Sequence, residues 1–116
     1  MALSTIPGYP RIGKQREMKR ALEDYWSGKI GEADLLSAAT RLRRENWRMQ
    51  TEAGIDIIPV NDFTLYDQVL DTAALVGAVP EEYGWSRDGV VDLDTYFAMA
   101  RGRTGERGVR ALDMTK

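Results

Sequence analysis

Apolar residues recur along this chain in short blocks of helical period, separated by glycine- and proline-bearing breaks. From Arg16 to Ser27, the positions Met18, Leu22, Tyr25 and Trp26 fall at helical spacing and Gly28 closes the block, which predicts a first helix. A second helix is predicted to start near Gly31. Leu35, Ala39, Leu42, Met49 and Ala53 form its stripe, Arg41, Arg43, Arg44 and Arg48 flank it, and Gly54 is a natural stop. Thr64 as a cap predicts a third helix from Leu65 to Val76, with Asp67 in its first turn and Val69, Leu70 and Ala73 facing inward. Gly77 and Pro80 end it. Asp92 caps a fourth helix, Leu93 to Arg101, whose apolar positions are Tyr96, Phe97 and Ala100.

Two other segments read as extended chain. Thr5 to Gly13 carries two prolines and two glycines, which rules out a helix and suggests a short strand running into a shaped loop. Ile55 to Val60 is short, apolar and β-branched, as a buried strand would be, with Pro59 near its end. Glu81 to Val91 is polar and reads as a loop. Gly102 to Gly108 reads as a mobile, exposed loop, and Ala111 to Lys116 is too short to classify. A strand and two helices, followed by a strand and two helices, give an α/β fold class with a parallel pair and a right-handed crossover. Two parallel strands leave both edges open, which points to a part of something larger.

The chain has 116 residues and a mass of 13.1 kDa, room for one domain at most. Its 43% hydrophobic and 29% charged residues are ordinary globular composition. Sixteen basic residues against 18 acidic ones give a net charge of −2, which disfavours nucleic acid or a membrane surface as partner. Cysteine and histidine are both absent, so disulfides, a Cys/His zinc site, a cysteine nucleophile and a histidine base are excluded within the chain. No acidic cluster has EF-hand spacing. No apolar run has the length of a membrane span and no signal peptide opens the chain, so the expected location is cytoplasmic.

Charge is unevenly spread. Arg11, Lys14, Arg16, Lys19 and Arg20 face only Glu17 within residues 11–20, whereas residues 51–100 hold ten acidic residues and one basic, Arg87. The first of these runs is the strongest chemical candidate. A glycine-bearing loop enters a helix whose first turn carries Arg16 and Lys19 on one face, where free backbone N–H groups and the positive dipole end favour an anion. A solvated basic turn is an equally good reading of the same spacing. Asn61 and Asp62, just after the second strand, occupy the place where α/β folds gather ligands, but Asp62 reads better as a loop contact. The arginines of the second helix read as a solvated face, paired in part with Glu45 and Glu52. Arg101, Arg103, Arg107 and Arg110 read as part of an exposed loop.

The run Gly8-Tyr9-Pro10-Arg11-Ile12-Gly13, followed by Arg16-Glu17-Met18-Lys19, resembles the amino terminus of cobalamin-independent methionine synthases. The likeness continues through Tyr25-Trp26-Ser27-Gly28-Lys29, Gln50 to Asp56, Ile58 to Phe63, Leu65-Tyr66-Asp67, Asp92 to Gly102 and Met114-Thr115-Lys116, in order along nearly the whole chain. The resemblance implies transfer of a methyl group from 5-methyltetrahydrofolate polyglutamate to L-homocysteine, without cobalamin. It implies two (β/α)8 barrels, with zinc held by ligands of the carboxyl-terminal barrel. By the same resemblance Arg16, Glu17, Met18 and Lys19 map to one part of the folate-polyglutamate site, and Lys116 to another. A tail of several carboxylates suits a basic turn.

A TIM-type barrel takes about 250 residues. The chain is therefore expected to be the opening strand–helix units of an incomplete amino-terminal barrel, without the zinc-binding barrel and inactive alone. Two other readings remain: a stand-alone, non-catalytic module that binds folate or a polyanion, and a structural fragment that associates through exposed strand edges.

Overall fold

The computed structural model describes residues 1–105 and 108–112. The chain divides into two compact units, Met1–Leu65 and Tyr66–Lys116.

The first unit is built on two helices in mutual contact, α1 (Glu17–Trp26) and α2 (Glu32–Glu52). Both match the predicted elements, because each has a strong apolar stripe and a glycine stop. Met18 and Leu22 are the buried residues of α1, and Leu35, Ala39 and Leu42 are the apolar core of α2. The α2 stripe then departs from expectation. Ala53 is exposed and Met49 half-buried, while Asn46 and Gln50 carry the buried face onward. These two amides are tolerated because they bond: Asn46 Nδ2 donates to the Pro10 carbonyl at 3.3 Å, and Gln50 Nε2 to the Asn46 carbonyl at 3.0 Å. At the end of α2, Gly54 adopts φ +81°. Its N–H donates to the Thr51 carbonyl and that of Ile55 to Gln50, which satisfies carbonyls the helix leaves open.

The α/β expectation needs correction here. Among the described residues no strand forms. The two predicted strands meet in a single parallel bridge, Thr5 with Ile57. The Ile57 N–H donates to the Ser4 carbonyl at 3.0 Å, and Thr5 Oγ1 to the Ile57 carbonyl at 2.8 Å. Asp56 reinforces the tie by accepting from both the N–H and the Oγ of Ser4, at 2.8 Å each. The segment predicted as a buried strand is largely uncovered, with Ile57 52% and Val60 67% exposed. A parallel strand is sustained by neighbours on its edges and helices on its faces. One bridge supplies neither.

The second unit holds α3 (Gln68–Leu75), a one-turn 3-10 helix (Glu81–Tyr83) and α4 (Leu93–Arg101), with α4 touching both others. The predicted start of α3 is corrected from Leu65 to Gln68. Asp67, in extended conformation, caps it by accepting from the Leu70 N–H at 2.8 Å, so the capping residue is Asp67 and not Thr64. A carboxylate at the dipole's positive end is the better cap. The inward face is also narrower than expected: Leu70 is 1% exposed, but Val69, expected inside, is 68% exposed. The predicted Asp92 cap of α4 is present, accepting from Thr95 N–H at 2.7 Å. Tyr96 and Phe97 are both buried and meet edge to face, with centroids 5.2 Å apart.

Two predicted loops carry more structure than expected. Tyr83 is buried, and its hydroxyl donates to the Arg110 carbonyl at 2.6 Å. Arg103 and Val109 form an antiparallel bridge, with hydrogen bonds of 2.8 and 3.0 Å, where a mobile loop was expected. Arg103 also pairs with Asp94 at 2.5 Å. No helix among the described residues is long and apolar enough to cross a membrane.

Candidate functional site

The loop that enters α1 is pinned from several directions. Tyr9 N–H donates to Asp62 Oδ2 at 2.7 Å, Arg11 Nη1 to the Leu65 carbonyl at 3.2 Å, and the Pro10 carbonyl accepts from Asn46. The preferred reading of Asp62 as a loop contact therefore holds. Met18 N–H donates back to the Ile12 carbonyl at 3.1 Å, and Arg16 N–H to that of Gly13 at 3.3 Å, which closes a tight turn at the start of the helix.

The backbone of this turn is unusual. Gly13 sits at φ +85°, and a Cβ there would collide with Glu17 Oε2 and lie 3.2 Å from Leu42 Cδ2. Arg16, the residue before α1, is also left-handed, at φ +62° and ψ +34°, and its side chain makes no capping bond. For a non-glycine residue that conformation costs about 1–2 kcal/mol.

Glu17 does the capping instead. Its Oε2 accepts from Gln15 N–H at 2.9 Å. Hydrogen bonds from its own backbone N–H and that of Gln15 hold its carboxyl below the usual glutamate range, and the positive charges of Arg20 and Arg41 act in the same direction. The chain's own carboxylate thus takes the N–H groups of Gln15 and Glu17, and the Met18 N–H is bonded to the Ile12 carbonyl, which leaves fewer backbone donors for an anion than a fully free helix start would offer.

The site residues read from the sequence are therefore placed unequally. Arg16 and Lys19 are exposed on the same turn. Arg16 enters no ion pair among the described residues, and Lys19 Nζ lies 3.6 Å from Glu23 Oε1 in a loose, exposed pair. Glu17 is the brace between them. Met18 is 0% exposed with its N–H already bonded, so it seats the turn from below. Lys116 lies outside the described residues.

Sequence reasoning missed three features nearby. Arg43 is not a solvated flank: its guanidinium stacks over Phe63 at 5.0 Å from the ring centroid. Asn46 and Gln50 were findable, because they continue the Leu42 spacing by four residues at a time. A cavity of about 240 Å3 opens between the Tyr9–Lys14 loop and α2, lined in part by Tyr9, Ile12, Leu42 and Met49. The second-helix arginines otherwise behave as read, with Arg48 3.8 Å from Glu52 in an exposed pair. No group of three or more Asp, Glu, His or Cys residues able to hold a metal ion lies together among the described residues.

The model of one protein family, described as the amino-terminal domain of cobalamin-independent synthase, matches residues 3–116. The chain belongs to this family. Among curated relatives, a 5-methyltetrahydropteroyltriglutamate–homocysteine methyltransferase of Chelativorans sp. (strain BNC1) is 54% identical over 98% of this chain and 16% of its own length. Proteins of the same name from Salinibacter ruber and Rhodopseudomonas palustris (strain TIE-1) are 53% and 58% identical, over 100% and 91% of this chain. The chain spans 16% and 13% of those two proteins. Family membership thus confirms the resemblance carried by the Gly8–Gly13 and Arg16–Lys19 runs.

Proposed function

We propose that this chain is the opening segment of a methyltransferase that moves the methyl group of 5-methyltetrahydropteroyltriglutamate to homocysteine, yielding methionine. The relatives' names state these two substrates. Within that enzyme the segment's work is electrostatic: Arg16 and Lys19 hold carboxylates of the glutamate tail, and Lys116 adds a further cation. The observation that carries this reading is the exposed Arg16, held in a strained turn with no acidic partner among the described residues, beside a Glu17 whose carboxylate is tied down by backbone N–H groups. An anion there meets Arg16, which has no ion pair among the described residues, and Lys19, whose exposed pair with Glu23 is loose, at a turn that stability alone would not favour.

The same proposal places these residues in the first units of a (β/α)8 barrel. The parallel bridge at Thr5 and Ile57, with Ile57 and Val60 uncovered beside it, is what such units present before their neighbours are added. Zinc does not fit here: the chain has no cysteine or histidine, and its described carboxylates form no cluster. Any metal step belongs to residues outside this chain. Bond-making would likewise occur elsewhere, and the tail held here would fix where the folate's methyl group is presented.

The test is steady-state kinetics of the full-length enzyme. Arg16→Gln combined with Lys19→Gln is expected to raise KM for the triglutamate about tenfold with kcat nearly unchanged, because these groups bind ground and transition states alike. The wild-type KM should also rise with ionic strength, and the variant's should rise less. An unchanged KM in the double variant would contradict the assignment.

A further inference from the structure

The cavity beside the α1 turn adjoins the tail-anchoring cations and shares Glu17 with their turn, but neither Arg16 nor Lys19 lines it. Its volume of about 240 Å3 lies above the roughly 150 Å3 that accommodates benzene in an apolar protein cavity and below the range of drug-sized pockets. That scale suits a ligand of roughly ten non-hydrogen atoms. Its apolar lining includes Ile12, Leu42 and Met49, with Tyr9 held near Met49 by an Oη–Sδ contact of 3.8 Å. Asn46, which also lines it, is committed to the Pro10 carbonyl.

The charged lining is mixed. Glu17 is committed to Gln15 N–H, and Arg48 is drawn toward Glu52. Lys14 and Glu45 also line the cavity, and neither enters an ion pair among the described residues. Lys14, with Arg48 only loosely paired beside it, and the carboxylate of Glu45 over an apolar lining match a molecule that carries both charges and a short apolar group. A purely anionic ligand would face Glu45, and a purely cationic one would face Lys14.

We propose that this cavity binds a free α-amino acid with a medium-sized apolar side chain. Its carboxylate would meet Lys14, its ammonium Glu45, and its side chain the Ile12–Leu42–Met49 wall. Charge-assisted hydrogen bonds at both ends would supply the selectivity.

Calorimetric titration of the full-length enzyme with L-leucine tests this, against isovalerate, isopentylamine and glycine, which lack the ammonium, the carboxylate and the side chain in turn. Leucine is expected to bind with each control at least about tenfold weaker, a difference of roughly 1.4 kcal/mol. Lys14→Gln should weaken leucine but not isopentylamine, and Glu45→Gln should weaken leucine but not isovalerate. Both side chains are exposed, so neither change threatens the fold. Failure to bind leucine, equal binding of either singly charged control, or neutrality of both variants would overturn the proposal. None of these outcomes bears on the triglutamate KM of the Arg16 and Lys19 variants.

Discussion

Helices α1 and α4 begin in opposite ways. Asp92 stands before α4 in extended backbone and its carboxylate accepts from Thr95 N–H, the arrangement that best serves a helix start. Arg16 stands before α1 in left-handed backbone, uncapped by its own side chain, with a positive charge at the positive end of the dipole. Glu17 recovers part of the loss by reaching back to Gln15. The difference teaches that the α4 start is built for stability. The α1 start sacrifices some stability to hold two cations outward.

Breaking the brace at α1 should have the largest effect. Gly13→Val places a β-branched residue at φ +85°, against Glu17 Oε2 and Leu42 Cδ2. Urea melts should show a loss of about 2–3 kcal/mol. Asp92→Ala should cost about 1 kcal/mol by the same measurement, with no change in triglutamate binding by the full-length enzyme. Arg16→Gly sharpens the contrast from the other side. Relief of the left-handed strain is offset by added freedom of the unfolded chain, so stability should change by no more than about 1 kcal/mol. Triglutamate affinity should nevertheless fall. The smallest effect is in the acid limb of the stability–pH curve. Glu17's folded pKa lies below its ordinary value of 4.5, so its contribution is complete above that pH and fades as pH falls through the lowered value. Glu17→Gln should flatten that limb, as read by melts at successive pH values. Asp56, tied to Ser4, contributes with the same sign and should remain visible in the variant.

What could be read in the sequence divides along similar lines. Helices with an apolar stripe and a glycine stop, α1 and α2, were legible in their bounds almost to the residue, as was the Asp92 cap, although the C-terminal half of the α2 stripe was not. The start of α3 was not, because Thr64 and Asp67 are both capping residues and only the carboxylate wins the helix dipole. Strands were overcalled: Ile55–Val60 has the composition of a buried strand, but one bridge to Thr5 cannot sustain a ladder. Tyr83 was missed because three residues of 3-10 helix carry no periodicity, and its burial depends on a carbonyl 27 residues away. At the candidate site, the basic turn was legible from charge spacing. The role of Glu17 was not, since its partner N–H is two residues upstream and is reached only through the left-handed turn at Arg16.

The most direct test of the central claim is the ratio of triglutamate to monoglutamate affinity in the full-length enzyme, with Arg16 and Lys19 intact and with both replaced by glutamine. If these cations hold the tail, the intact protein should prefer the triglutamate by roughly tenfold or more, and the double variant should lose most of that preference while its monoglutamate affinity stays unchanged. An intact protein with no preference, or a preference that survives the double substitution, would contradict the account.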